Sequence, residues 1–292
     1  MANLTLVFTR PTRAGALSRY PRPVLPGIAS RRFLAAWLAV CLVAGATVAD
    51  AKRITGTRGA DRLTGTKRAD TIRGGRGNDR VFGRRGNDRL LGQPGNDILR
   101  GEAGADRLNG GAGRDRVKGG PGPDRLTGSK GNDRLRGNAG NDRLSAGAGN
   151  DRLNSDAGSD ILRGDAGRDS LAAGAGDDRL FGGAGNDRLF GGLPGPGTNG
   201  GNDLFGGPGN DRIRTNRGID RVEGGPGNDN LEGGTNEDDL IGGTGNDFID
   251  ARDGSEDTID CGDGEDTVLV DFEEDGVDDC ENVQFPAEPP EA

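Results

Sequence analysis

One apolar residue recurs at nine-residue intervals along most of the chain, each time between polar or glycine-rich neighbours. The series runs Leu63, Ile72, Val81, Leu90, Leu99, Leu108, Val117 and Leu126 on to Leu189. It continues at Ile213, Val222, Leu231, Leu240, Ile249, Ile259 and Val268. A fixed period of this length marks a solenoid. Each apolar residue centres a triplet such as Arg116-Val117-Lys118. The triplet reads as a short strand with its central side chain inward and its neighbours outward. Between triplets, hexapeptides such as Gly110-Gly111-Ala112-Gly113-Arg114-Asp115 read as turns. Glycines there permit positive φ and leave carbonyls unobstructed. Two strands and two turns make one coil of eighteen residues. Coils stacked ~4.8 Å apart give two parallel sheets, and about eleven of them make a rod of roughly 50 Å.

Composition agrees with a repeat architecture and not with a conventional core. Of 292 residues, 57 are glycine and only 31% are hydrophobic. Such a composition leans toward disorder or an elongated repeat. The fixed period decides for the repeat, because a flexible linker does not hold an Asp and an aliphatic residue in phase. Glycine at every third position is absent, which excludes collagen.

An Asp stands two residues before nearly every apolar position. It falls at Asp61, Asp70, Asp79, Asp88, Asp97, Asp106, Asp115, Asp124, Asp133, Asp142, Asp151, Asp160, Asp169, Asp178 and Asp187 without a slip. A segment from Gly191 to Gly201, containing Pro194 and Pro196, then intervenes. The series resumes at Asp203, Asp211, Asp220, Asp229, Asp238 and Asp247, with a last pair at Asp257 and Asp266. The expected organisation is an N-terminal extension with a secretory signal over 1–49, a first array over 50–190 and an insertion loop over 191–201. A second array over 202–268 and an acidic cap and tail over 269–292 follow.

Stacking places like charges in columns, Asp79 over Asp97 over Asp115 on one edge and Asp88, Asp106, Asp124 on the other. Without a cation nothing would offset them. Calcium takes six to eight oxygen ligands at ~2.3–2.6 Å, more than one turn supplies. Two stacked turns supply them through carboxylates and glycine-flanked carbonyls. One buried leucine contributes ~1.5–3 kcal/mol, against roughly 13 kcal/mol for ordering nine residues. An ion is therefore expected to be needed for folding. The competing expectation is a solenoid held by backbone ladders, with calcium weak or absent.

The pattern G-G-x-G-N-D-x-apolar-x, cleanest at Gly74-Gly75-Arg76-Gly77-Asn78-Asp79-Arg80-Val81, resembles the RTX or haemolysin-type calcium-binding repeat family. The resemblance covers about residues 56–268. It implies an all-β, right-handed parallel β-roll with several Ca2+ ions in its turns. It assigns side-chain ligation to Asp79, Asp88, Asp97, Asp106, Asp115, Asp124, Asp133, Asp142, Asp151, Asp160, Asp169, Asp178, Asp187, Asp211, Asp229 and Asp247. It assigns carbonyl ligation to Gly75, Gly77, Gly111, Gly113, Gly120, Gly122, Gly183, Gly185, Gly207, Gly209, Gly225, Gly227, Gly243 and Gly245. The turns at 66–70, 128–131, 155–158 and 215–218 lack one or more of the motif glycines and are expected to be weaker sites. The tail from Cys261 to Val283 is similar to the terminal segment of actinobacterial secreted repeat proteins.

The ends bear on location. Arg31-Arg32 precedes an apolar run from Phe33 to Ala46, which reads as a secretory signal cleaved after Ala46 or Ala49. The run is shorter than the ~20 residues that cross a bilayer, so no stable membrane span is expected after cleavage. An uncleaved anchor is the alternative. The expected location is extracellular. Cys261 and Cys280 form an even pair in an exported chain and are expected to be disulfide-bonded. With no histidine and no third thiol left after cleavage, zinc is disfavoured.

Charge is uneven. The net charge is −9, yet from Glu223 onward 24 acidic residues face Arg252 alone. Upstream, arginine fills the position after the Asp, as at Arg107, Arg125 and Arg143. These ladders either offset the Asp columns or dock an anionic cell-wall or extracellular polymer. Specific nucleic-acid reading is not indicated, for no aromatic platform accompanies the arginines. An enzyme is disfavoured: the chain has no His and one Tyr, and no nucleophile stands with a base.

Overall fold

A computed structural model of the chain describes residues 51–194, 200–271 and 276–285. The expected signal segment lies outside the described residues. The described residues fall in one compact unit, Val48–Ala292. They form two parallel sheets of 13 strands, with alternate strands of the chain going to alternate sheets. The first sheet runs from Arg53–Thr55 to Gly276–Asp278 and the second from Arg62–Thr64 to Asn282–Gln284. Register follows the coil: Leu135 opposes Val117 on one side and Leu153 on the other. The expected all-β parallel roll of eighteen-residue coils is the observed fold.

Most strands are longer than the expected triplet. Arg116–Pro121 and Arg134–Ala139 each span 6 residues, because the leading glycine of the next motif stays extended. A strand therefore turns two residues inward, the aliphatic one and the glycine two places later. The aliphatic column is closed to solvent from Ile72 to Val268. At most inward glycines the neighbouring coil and the Asp carboxylate come too close for a side chain. A Cβ added at Gly182 would lie 2.7 Å from Asp187 Oδ2 and 2.5 Å from the Gly206 carbonyl oxygen. Where that position is not glycine it is small or apolar and buried, as at Ala146, Ala173, Cys261 and Val270.

The strands on either side of the insertion pair directly. Arg179–Ala184 pairs with Asp203–Phe205, and Arg188–Leu193 pairs with Arg212–Arg214. Both ladders are continuous across it. At the C-terminal end both sheets gain one strand beyond Val268, with Val277 opposite Ile259 and Val283 opposite Val268. Cys261 is buried in the interior and bonded to Cys280, which follows the last strand of the first sheet. The expected disulfide is thus formed.

Candidate calcium-binding turns

The repeat Asp turns inward at the end of each hexapeptide. Its Oδ1 accepts a hydrogen bond from the backbone N–H of the Asp one coil earlier. Asp79 N–H donates to Asp97 Oδ1 at 2.7 Å, and Asp97 N–H to Asp115 Oδ1 at 2.7 Å. On the other edge Asp88 N–H donates to Asp106 Oδ1 at 2.7 Å, and Asp106 N–H to Asp124 Oδ1 at 2.8 Å. The columns expected from the spacing are therefore present on both edges. One ends in an unexpected residue, since Asp266 N–H donates to Glu281 Oε2 at 2.9 Å.

The other carboxylate oxygen is orphaned. In all sixteen Asp residues expected to be ligands, Oδ2 is buried and has no hydrogen-bond partner. Asp220, Asp238 and Asp266 share this state. Burying a carboxylate with one oxygen left unpaired is costly. Desolvation raises the carboxyl pKa, the N–H donor from the previous coil opposes it, and column neighbours raise it further. Asp88, Asp97, Asp151, Asp211 and Asp247 are pushed up to about 6. Asp115, Asp142, Asp169, Asp178 and Asp229 reach about 7. Asp124 and Asp238 reach about 8. Desolvation also raises Asp79, Asp106, Asp133, Asp160 and Asp187.

Among the described residues no three His, Cys, Asp or Glu side chains cluster for a metal. An ion here must draw on backbone carbonyls as well as carboxylates. The inward glycine provides the junction: its missing Cβ leaves a space bordered by Asp Oδ2 and the carbonyl of the next coil, as at Gly182. An all-oxygen set with carboxylate charge suits a hard cation such as calcium and not zinc.

The fourteen glycines expected to offer carbonyls fall into two groups. Gly75, Gly111, Gly120, Gly183, Gly207, Gly225 and Gly243 follow the inward glycine. Gly77, Gly113, Gly122, Gly185, Gly209, Gly227 and Gly245 sit in the turn. All fourteen have positive φ, from 97° at Gly207 to 146° at Gly227. The first group includes residues inside the ladders, Gly111 opposing Gln93 and Ser129. The second group lies outside the strands.

The departing turns separate. At Asp70, Oδ2 accepts hydrogen bonds from Thr66 N–H at 2.5 Å and Thr66 Oγ1 at 3.0 Å, so no oxygen is orphaned there. Asp61 is treated alike by Thr57. Asp133, Asp160 and Asp220 keep orphaned Oδ2 atoms despite their altered turns. After the insertion the column position is held by Asn202, which is buried, and not by Asp203. Asp203 begins the next strand and pairs with Arg179 at 2.9 Å. The expected resumption at Asp203 is thus off by one, because the insertion breaks the nine-residue count. The spacing to Leu204, the buried residue two places after Asn202, carries the correct phase.

One set of polar residues went unremarked in the sequence. The Asn before the Asp builds a second ladder on the crest of the turns: Asn96 N–H donates to Asn78 Oδ1 at 2.8 Å, and Arg114 N–H to Asn96 Oδ1 at 2.7 Å. The recurrent Gly-Asn-Asp triplet was its signal.

Comparison with curated proteins gives no match. The model of the RTX calcium-binding nonapeptide repeat (4 copies) matches residues 55–90, 91–126, 118–153, 127–162, 163–193, 196–231, 215–249 and 232–268. That family is a calcium-binding repeat and not a catalytic domain. With most of its length matched and its buried carboxylates standing in two ordered columns, this chain belongs to the RTX calcium-binding nonapeptide repeat family.

Proposed function

We propose that the chain is an extracellular rod whose coils are ordered by several Ca2+ ions, with a structural or matrix role. The observation that carries this is the pair of columns of buried, unpartnered Asp Oδ2 atoms. Each is an acceptor with no donor, and a cation is the partner that removes the cost for a whole column at once. Asp79, Asp115 and Asp229 would supply carboxylates, and turn glycines such as Gly77 and Gly113 would supply carbonyls. The Cys261–Cys280 bond suits an oxidising compartment. No helix among the described residues is long and apolar enough to cross a membrane. Domain limits at 50–190, 191–201, 202–268 and 269–292 belong to the same proposal. Metal analysis after dialysis against millimolar calcium tests it. Several calcium ions per chain, held against excess magnesium, are expected; a folded chain holding none contradicts the reading.

A second reading is favoured by one observation. Arg89, Arg107, Arg125 and Arg143 oppose one another directly in four neighbouring strands. Among the described residues none of them forms an ion pair. Like charges so placed are destabilising, and an anionic cell-wall or extracellular polymer laid across the strands would relieve this. Salt-sensitive retention on such a polymer, lost when Arg107, Arg125 and Arg143 become Ser, is expected. Equal retention of variant and parent removes this reading.

A further inference from the structure

The column of Asp88, Asp106 and Asp124 continues through Asp178 and then meets Asn202. Sequence spacing across this step is 24 residues, against 18 elsewhere in that part of the column. The amide is oriented by its partners. Asp178 N–H can only donate, and it points at the Asn202 side chain at 3.0 Å, so the atom it meets is Oδ1. The remaining atom is therefore the NH2 group, and Nδ2 donates to Asp220 Oδ1 at 3.1 Å. Asn202 N–H donates to the same oxygen at 2.6 Å.

This reverses the polarity of the site. A Cβ added at Gly182 would meet a carboxylate oxygen of Asp187 at 2.7 Å, but one added at Gly191 would meet Asn202 Nδ2 at 3.0 Å. Where other coils aim an orphaned acceptor into the glycine space, this coil aims a donor. A donor group repels a cation and contributes no lone pair to it. One coil further on, Thr215 replaces the inward glycine of the Asp220 turn and is buried there. Two successive coils on one edge thus depart from the pattern, while Asp187, Asp211 and Asp229 continue the other edge without interruption.

We propose that the Asn202 coil is a built-in ion-free joint: it holds its turn with hydrogen bonds alone and divides the calcium array of its edge into separate upstream and downstream segments. The proposal rests on the calcium reading above. It predicts that the two segments load independently, while the opposite edge loads as one.

Metal analysis of the full chain at saturating calcium tests it in three proteins. Asn202→Asp restores the carboxylate, and bound calcium is expected to rise by about one ion per chain. Asp211→Asn imposes the same amide on the unbroken edge, and a fall of about one ion is expected. An unchanged count in folded Asn202→Asp overturns the proposal. If Asn202→Asp fails to fold, Asp211→Asn decides: a loss supports the proposal, and an unchanged count overturns it. A parent chain that binds no calcium brings down the calcium reading itself, a result distinguishable from either variant's outcome.

Discussion

At several positions that follow the inward glycine, the backbone adopts positive φ although the residue is not glycine. Arg84 lies at 87°, Gln93 at 80°, Glu102 at 76° and Asn138 at 87°. L-residues hold this conformation at a cost of roughly 1–2 kcal/mol each. Ladder pairing fixes it, since Gln93 lies opposite Gly111. Arg84→Gly, Gln93→Gly and Glu102→Gly are therefore expected to stabilise the calcium-saturated chain by up to about 1 kcal/mol each, after the extra freedom glycine gains when unfolded. Thermal melting checks this, and lowered melting temperatures contradict it. The motif glycines were legible in the sequence as turn residues. The strain at their substitutes was not, because a departing turn looks like a weakened site and not like the same backbone forced onto another side chain. Asn202 was obscured for a related reason. Asp203 beside it satisfied the expectation of a carboxylate, but it pairs with Arg179 outside the column, and Asn202 takes the buried place.

A whole column of carboxylates shares one electrostatic problem, so its titration is a property of the element. Burial raises Asp124 and Asp238 to about 8, and Asp88 and Asp97 to about 6. An unfolded Asp titrates near ~3.9. The metal-free folded chain therefore holds protons more tightly than the unfolded chain. The stability this brings is fully present below the unfolded value and is lost as pH rises through about 6 to 8. With calcium chelated, acidification from pH 8 to pH 5 is expected to increase the β signal in circular dichroism. With calcium bound, the signal should change little over that range. A chelated chain that loses β structure on acidification in this window contradicts the account. The aliphatic column is an element of the same kind. Leu162 is fully buried, and Leu162→Ala is expected to cost about 3 kcal/mol in denaturant unfolding at saturating calcium. A cost under about 1 kcal/mol would show that the column does not bear on stability. Strand identity was legible because the aliphatic phase holds for long stretches. Strand length was not, because the inward glycine gives no hydrophobic signal.

Across the molecule, the fold class followed from the period, but the ends of the stack did not. Both sheets continue past Val268 through Gly276–Asp278 and Asn282–Gln284. Acidic residues interrupt the count there, and Glu281 takes the acceptor role one coil after Asp266. The disulfide secures this last coil to the interior through Cys261, across a sequence separation of 19. Closing such a loop contributes about 3 kcal/mol by chain entropy. Replacing both Cys261 and Cys280 with Ser is expected to fray the C-terminal coils and promote oligomers, while calcium binding in the central coils persists. Limited proteolysis and light scattering check this; a monomeric, protease-resistant variant contradicts it. If the buried Asp columns make the fold depend on calcium, removing the ion unfolds the chain. Far-UV circular dichroism of the chelated chain at neutral pH, titrated with calcium, tests it most directly. Little β structure is expected in chelator, with a cooperative gain at ~0.1–1 mM calcium. A full β spectrum in chelator that calcium leaves unchanged would contradict it.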